Sequence, residues 1–153
     1  MPDMIPADAF VVPEEPTAAA AIAAIGDEFA VFDDWMDRYQ HIIELGRKLP
    51  SYPDAWADDL HRVPGCQSRV WMETALRDGR LFLAGASDAA IVSGLVALLL
   101  RVYSGRTPAE IAATDPVFLK DLGLIEALST NRGNGIAAMA RKIRGLAALQ
   151  RAA

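Results

Sequence analysis

Between residues 60 and 84 the apolar residues alternate with a period of two, whereas on both sides they recur every three to four positions. A block of strands that short cannot bury itself; it needs helices against it. The pattern therefore predicts an α+β domain, a small antiparallel sheet with helices packed on one face. The period-two block divides into three strands, residues 60–63, 68–76 and 80–84. In the middle one, Val70, Met72, Thr74 and Leu76 share one face and Trp71, Glu73 and Ala75 the other. Asp78-Gly79 is a hairpin turn, because both residue types tolerate positive φ. Pro64-Gly65-Cys66-Gln67 joins the first two strands and sets Cys66 at a loop tip.

The flanks read as helices with recognisable ends. Thr17 caps an Ala-rich helix from Ala18 to about Ile25, stopped by Gly26. Phe32, Trp35, Met36, Tyr39, Ile42 and Ile43 make the apolar stripe of the next, which Pro50 closes, and residues 54–59 add a further helical turn. Ser87 caps a third, with Asp88 at its positive end. That helix is apolar on most sides, as a central buried one must be. Gly105 ends it, Thr107-Pro108-Ala109-Glu110 forms a capping box, Asp115-Pro116 opens a short helix, and Asn134 caps the last one. Residues 1–16, with four prolines, read as a disordered or loosely attached leader, and residues 17–153 as a single domain.

Composition removes several functions. The formal net charge is −5, which does not suit a sequence-independent nucleic-acid binder. One cysteine and two histidines exclude an internal disulfide, and they exclude a zinc site built from four cysteines or from paired cysteines and histidines. The longest apolar stretch, residues 89–100, is well short of the roughly 20 residues a membrane span needs. Residues 1–37 hold no Lys or Arg, so they make neither an export signal nor a transit peptide, and a reduced cytoplasmic setting is expected.

The chemistry has few candidates. Cys66 has the only thiol, in a turn where Gly65 lets the backbone bend and another molecule approach; it reads either as a nucleophile or as a small buried hydrophobe. The run from Ser129 to Gly135 is polar and opens a helix. It reads either as an anion or thiolate support through Arg132 or as a connecting turn. His41 and His61 have no partner at ligand spacing, though His61 lies in the strand beside the Cys66 loop, where a Cys–His pair is conceivable.

Several ordered blocks carry a resemblance. They are Tyr39 through Pro50, Val63-Pro64-Gly65-Cys66-Gln67-Ser68 with Val70-Trp71, Ser87-Asp88-Ala89-Ala90-Ile91-Val92 with Gly94-Leu95, Tyr103-Ser104-Gly105, Leu122-Gly123-Leu124, and Leu128-Ser129 with Asn131-Arg132 and Gly133-Asn134-Gly135. In these the chain resembles the SufE-like (SufE/CsdE) family of sulfur acceptors in iron–sulfur cluster assembly. The resemblance implies the fold shared with IscU-type scaffolds, although this chain lacks the extra cysteines that hold a cluster. It implies a sulfur carrier, not an enzyme in its own right, working with a SufS- or CsdA-type cysteine desulfurase and passing sulfur to a SufB-type scaffold. Cys66 matches the persulfide acceptor, and Gly65, Gln67, Arg132 and Asp88 would shape the loop or support docking. The pyridoxal phosphate would stay on the desulfurase, leaving this chain without a cofactor. Two other readings remain open at this point: an activator that carries no sulfur, and an independent one-cysteine thiol reductase.

Overall fold

The computed structural model describes residues 7–66, 68–121, 123 and 130–152. The elements are α1 (Ala18–Ala30), α2 (Trp35–Arg47), β1 (Val70–Arg77), β2 (Arg80–Ser87), α3 (Ala90–Tyr103), α4 (Pro108–Ala113), α5 (Phe118–Asp121) and α6 (Thr130–Ala152), with 3-10 turns at Ala7–Ala9 and Asp54–Trp56. The fold is α+β, but the sheet has two strands and not three. β1 and β2 pair antiparallel from Val70↔Ser87 to Arg77↔Arg80, across a turn in which Asp78 and Gly79 both have positive φ.

The expected first strand, residues 60–63, is reduced to one bridge, Arg62↔Trp71. Two backbone bonds flank it, Val63 N–H to the Val70 carbonyl and Met72 N–H to the His61 carbonyl. Pairing spreads no further for local reasons. Asp58 accepts the His61 N–H, which the next rung with Met72 would need, and holds the preceding residues in a turn, while beyond Val63 the chain bends away at Gly65, whose φ is +87°.

α3 is the centre of the molecule. It is buried nearly all round, from Ile91 to Tyr103, as its unbroken apolar sequence requires. One face of the hairpin (Val70, Met72, Leu81, Leu83) joins it in the main core with residues of α1, α2, α4, α5 and α6. α2 crosses α3 at very short range. A Cβ placed on Gly94 would lie 2.0 Å from the Ile42 carbonyl oxygen, so only glycine fits there. The sheet's other face is covered as well, by a small cluster of Phe10, Ala9 and Ala84 with Tyr52, Trp56 and Phe82.

Residues 7–16 are bound to the body and do not hang free. The Val11 N–H donates to the Leu83 carbonyl, Ser104 Oγ donates to the Val11 carbonyl, and Arg106 donates to the Glu15 carbonyl. Arg101 pairs with both Glu15 and Glu28 at 2.8 Å. Residues 1–6 lie outside the described residues.

Three helix ends differ from expectation. α1 runs through Gly26 to Ala30, because Phe29 gains a fully buried site one turn later. α3 is capped at Ala89 without a side-chain bond. Ser87 ends β2 instead, donating to the Arg69 carbonyl and accepting from the Ala89 N–H. α6 begins at Thr130, so Asn134 lies inside it and is no cap, and the polar run from residue 130 to 135 is helix and not a turn.

Candidate functional site

The segment from Arg62 to Arg69 leaves the sheet edge, passes over α6 and returns to β1. Gly65 has φ +87°, which the bend requires and which only glycine adopts without strain. A side chain there would also press on Ala138, whose Cβ would be 3.2 Å away. The loop can settle on α6 because the helix presents small residues to it. Cys66 Sγ is within about van der Waals reach of Gly135, where an added Cβ would stand 3.7 Å from the sulfur. The thiol donates to the Gly135 carbonyl at 3.6 Å.

Cys66 is thus half-buried at the border of the main core. Burial pushes the thiol pKa up, and the positive charge of Arg62 only partly counters that, so the resting group is a neutral thiol at neutral pH. A cavity of about 490 Å³ opens beside it, lined by Asp59, Arg62, Lys142 and the stretch from Val63 to Cys66. An apolar groove with Arg141, Lys142, Leu146 and Leu149 adjoins it along α6.

Asp88 pins the far end of the loop. Its Oδ1 accepts the Arg69 N–H at 3.1 Å, and its own N–H donates to the Arg69 carbonyl. Gln67 lies outside the described residues, as does the side chain of Arg132, although its backbone belongs to the first turn of α6.

The two histidines are structural. Both ring nitrogens of His61 are taken, Nδ1 by Asp58 at 2.6 Å and Nε2 by Glu73 at 2.7 Å, and the ring stacks on Trp56. No nitrogen is left for Cys66, so the conceivable Cys–His pair does not form. Burial opposes a charge on His61, but the bonds to the two carboxylates outweigh it and raise the pKa. His41 packs against Phe29 and Phe32. Among the described residues no group of His, Cys, Asp and Glu could hold a metal ion, and no helix is long and apolar enough to cross a membrane.

Sequence reasoning missed Arg62, Lys142 and Gly135 as neighbours of the thiol. Gly135 was in view as part of a glycine-punctuated run; the two cations carried no signal of their own.

The family model described as SufE, Fe-S metabolism associated domain, matches residues 23–147, most of the chain, with the Cys66 loop and the cavity beside it. The chain belongs to the SufE family. This SufE-family chain is 42% identical over 123 residues to an uncharacterised SufE-like protein of Rhizobium meliloti, covering 77% of this chain and 88% of that one. It is 41% identical over 140 residues to another from Rhizobium etli, covering 88% and 94%. It is 38% identical over 117 residues to the sulfur acceptor protein CsdE of Escherichia coli, covering 75% and 80%. Its fold matches the solution structure of a hypothetical protein from Thermus thermophilus with a TM-score of 0.72 at 21% identity, over 94% of this chain and all of that one.

Proposed function

We propose that this protein is a cytoplasmic sulfur carrier in iron–sulfur metabolism, with Cys66 as the acceptor. It takes sulfane sulfur from a persulfide on a pyridoxal-phosphate-dependent cysteine desulfurase and delivers it to a cluster-assembly scaffold. The observation that carries the reading is the setting of the chain's one cysteine: a thiol on a glycine-bent loop, seated lightly on a helix through small residues and one long hydrogen bond. The similarity to a named sulfur acceptor supports it.

The step is a thiol–disulfide type exchange. The Cys66 thiolate attacks the outer sulfur of the donor's persulfide, a Cys66 S–S bond forms, the donor's S–S bond breaks, and the donor cysteine leaves as a thiolate. The proton that Cys66 loses balances the one the donor thiolate regains, and no oxidant is needed. Half-burial suits the resting state, since it keeps the thiol protonated and slows adventitious oxidation. Only a short shift of the loop from α6 brings the sulfur out to a docked donor. Gly65 supplies the bend and Asp88 fixes one end of the loop; these are positioning residues.

The test is to incubate wild-type and Cys66→Ala chains with a cysteine desulfurase and sulfur-labelled cysteine. Label is expected on Cys66 of the wild type and on none of the variant. Equal labelling of both would remove Cys66 from the mechanism. A Cys66→Ala chain that still stimulated the desulfurase fully would make the protein an activator and not a carrier.

A further inference from the structure

We propose that the cavity between Arg62 and Lys142 is a perthiolate site, which receives the terminal sulfur of loaded Cys66 as an anion and holds it until transfer. This rests on the acceptor role given to Cys66 above.

The empty and loaded forms of Cys66 differ in charge. A persulfide is a stronger acid than its parent thiol, because the second sulfur disperses the negative charge. Loading therefore turns a neutral S–H group into an anion at neutral pH. The resting contact suits only the first. The Gly135 carbonyl accepts from an S–H, but it presents the negative end of its dipole to a perthiolate. The terminal sulfur of the loaded form must face elsewhere, and a buried anion needs a cation.

The adjoining cavity supplies two. The backbone of Arg62 is fixed at the sheet edge by its bridge to Trp71, and its side chain lines the cavity. Lys142 is half-buried on the helix face that also carries Gly135 and Ala138, one turn beyond the latter. Neither has an ion-pair partner among the described residues, unlike Arg47 and Arg101. Among the described residues Asp59 is the one acid on the lining, against the two cations. Arg141 lines the neighbouring groove and adds to the field from the same helix. With about 490 Å³ the cavity, which Cys66 itself lines, has ample room for one further sulfur atom.

Loading can then be written in full: Cys66–SH and donor–S–SH give Cys66–S–SH and donor–SH, after which the outer S–H of Cys66 releases a proton to solvent. The perthiolate, paired with Arg62 and Lys142, is the resting form of the loaded chain; for onward transfer the outer sulfur regains its proton, an acceptor thiolate attacks it, the Cys66 S–S bond breaks and Cys66 leaves as a thiolate.

The test avoids the desulfurase so that the two proposals can fail separately. Cys66 of the full chain is converted to a mixed disulfide with an aromatic thiol and displaced with hydrosulfide, which leaves Cys66–S–SH and the aromatic thiolate; mass measurement confirms one added sulfur. The pH dependence of alkylation of that outer sulfur by iodoacetamide is then followed in wild type, Arg62→Gln, Lys142→Gln, the double variant and Arg62→Lys. The wild type should have the lowest midpoint and the double variant a midpoint higher by about one pH unit or more. Below the midpoint this is about a tenfold slower reaction. Arg62→Lys should stay near wild type, a recovery that a purely structural role would not predict. High salt should move the wild type toward the double variant. An unchanged midpoint in the double variant, or Arg62→Lys behaving as Arg62→Gln does, would overturn the proposal. If the midpoints shift as expected but a desulfurase never labels Cys66, the carrier role fails and the cavity's preference for an anion stands.

Discussion

His61 shows how one residue can set a loop's stability. It is held between Asp58 and Glu73, a few residues before Gly65, and its raised pKa and the lowered pKa of Asp58 fix the sign of the pH effect. A raised folded-state value means that the His61 contribution is fully present below its ordinary 6.5 and is lost as pH rises through the folded value. The Asp58 contribution is fully present above its ordinary 3.8 and is lost as pH falls through the lowered one. Between the two the clasp is complete. His61→Gln should therefore lower the urea midpoint most at about pH 5.5 and much less at about pH 9. A deficit that did not vary with pH would mean that the stacking on Trp56, and not the ion pairs, does the holding. At this scale the sequence was legible where the signal was local. Cys66 and Gly65 stood out as the lone thiol and the glycine before it. Gly135, Arg62 and Lys142 did not, because what brings them together is contact between a loop and a helix far apart in sequence.

Among the elements, the hairpin and the buried α3 could be read directly, since Asp78-Gly79 and an all-round apolar helix each have one physical solution. The third strand could not. Residues 60–63 have strand-like composition, but the side chain of Asp58 takes the His61 N–H and the bend at Gly65 carries the chain away after Val63. The start of α6 was misplaced for a related reason: Asn and Gly residues favour caps and turns locally, and packing onto the core draws them into the helix. The closest helix contact also depends on glycine. Gly94→Ala would drive a Cβ into the backbone of α2 at Ile42, and the neighbouring Gly46 approaches Gly94 N to 2.6 Å by the same measure. A loss of about 3 kcal/mol or more, or failure to fold, is expected from equilibrium unfolding. A Gly94→Ala chain of unchanged stability would mean that α2 and α3 can move apart without cost.

At the scale of the molecule, the leader is where composition misled. Four prolines read as disorder, yet residues 7–16 are part of the structure, with Phe10 buried under the sheet. The proline-rich backbone leaves groups that cannot pair within a helix: Arg106 and Ser104 donate to the carbonyls of Glu15 and Val11, and the Val11 N–H donates to the Leu83 carbonyl. Ser104 Oγ accepts the Leu83 N–H at 2.9 Å and donates to the Val11 carbonyl, joining leader, strand and helix end through one buried oxygen. Ser104→Ala should cost about 1–3 kcal/mol, because the Leu83 N–H has no water to turn to. Thermal unfolding would show it, together with earlier proteolytic cleavage before residue 17.

The same contacts finish the hairpin. Along β2, Val11, Ser104, Gly105 and Arg106 occupy the outward-facing groups of Leu83 and Leu81, while along β1 residues 61 and 63 and the carboxylate of Glu73 occupy the Val70 carbonyl and the N–H groups of Met72 and Thr74. A visiting chain that laid a strand along these residues would first have to displace those partners. Docking through its loops, charges and helix faces needs no such displacement.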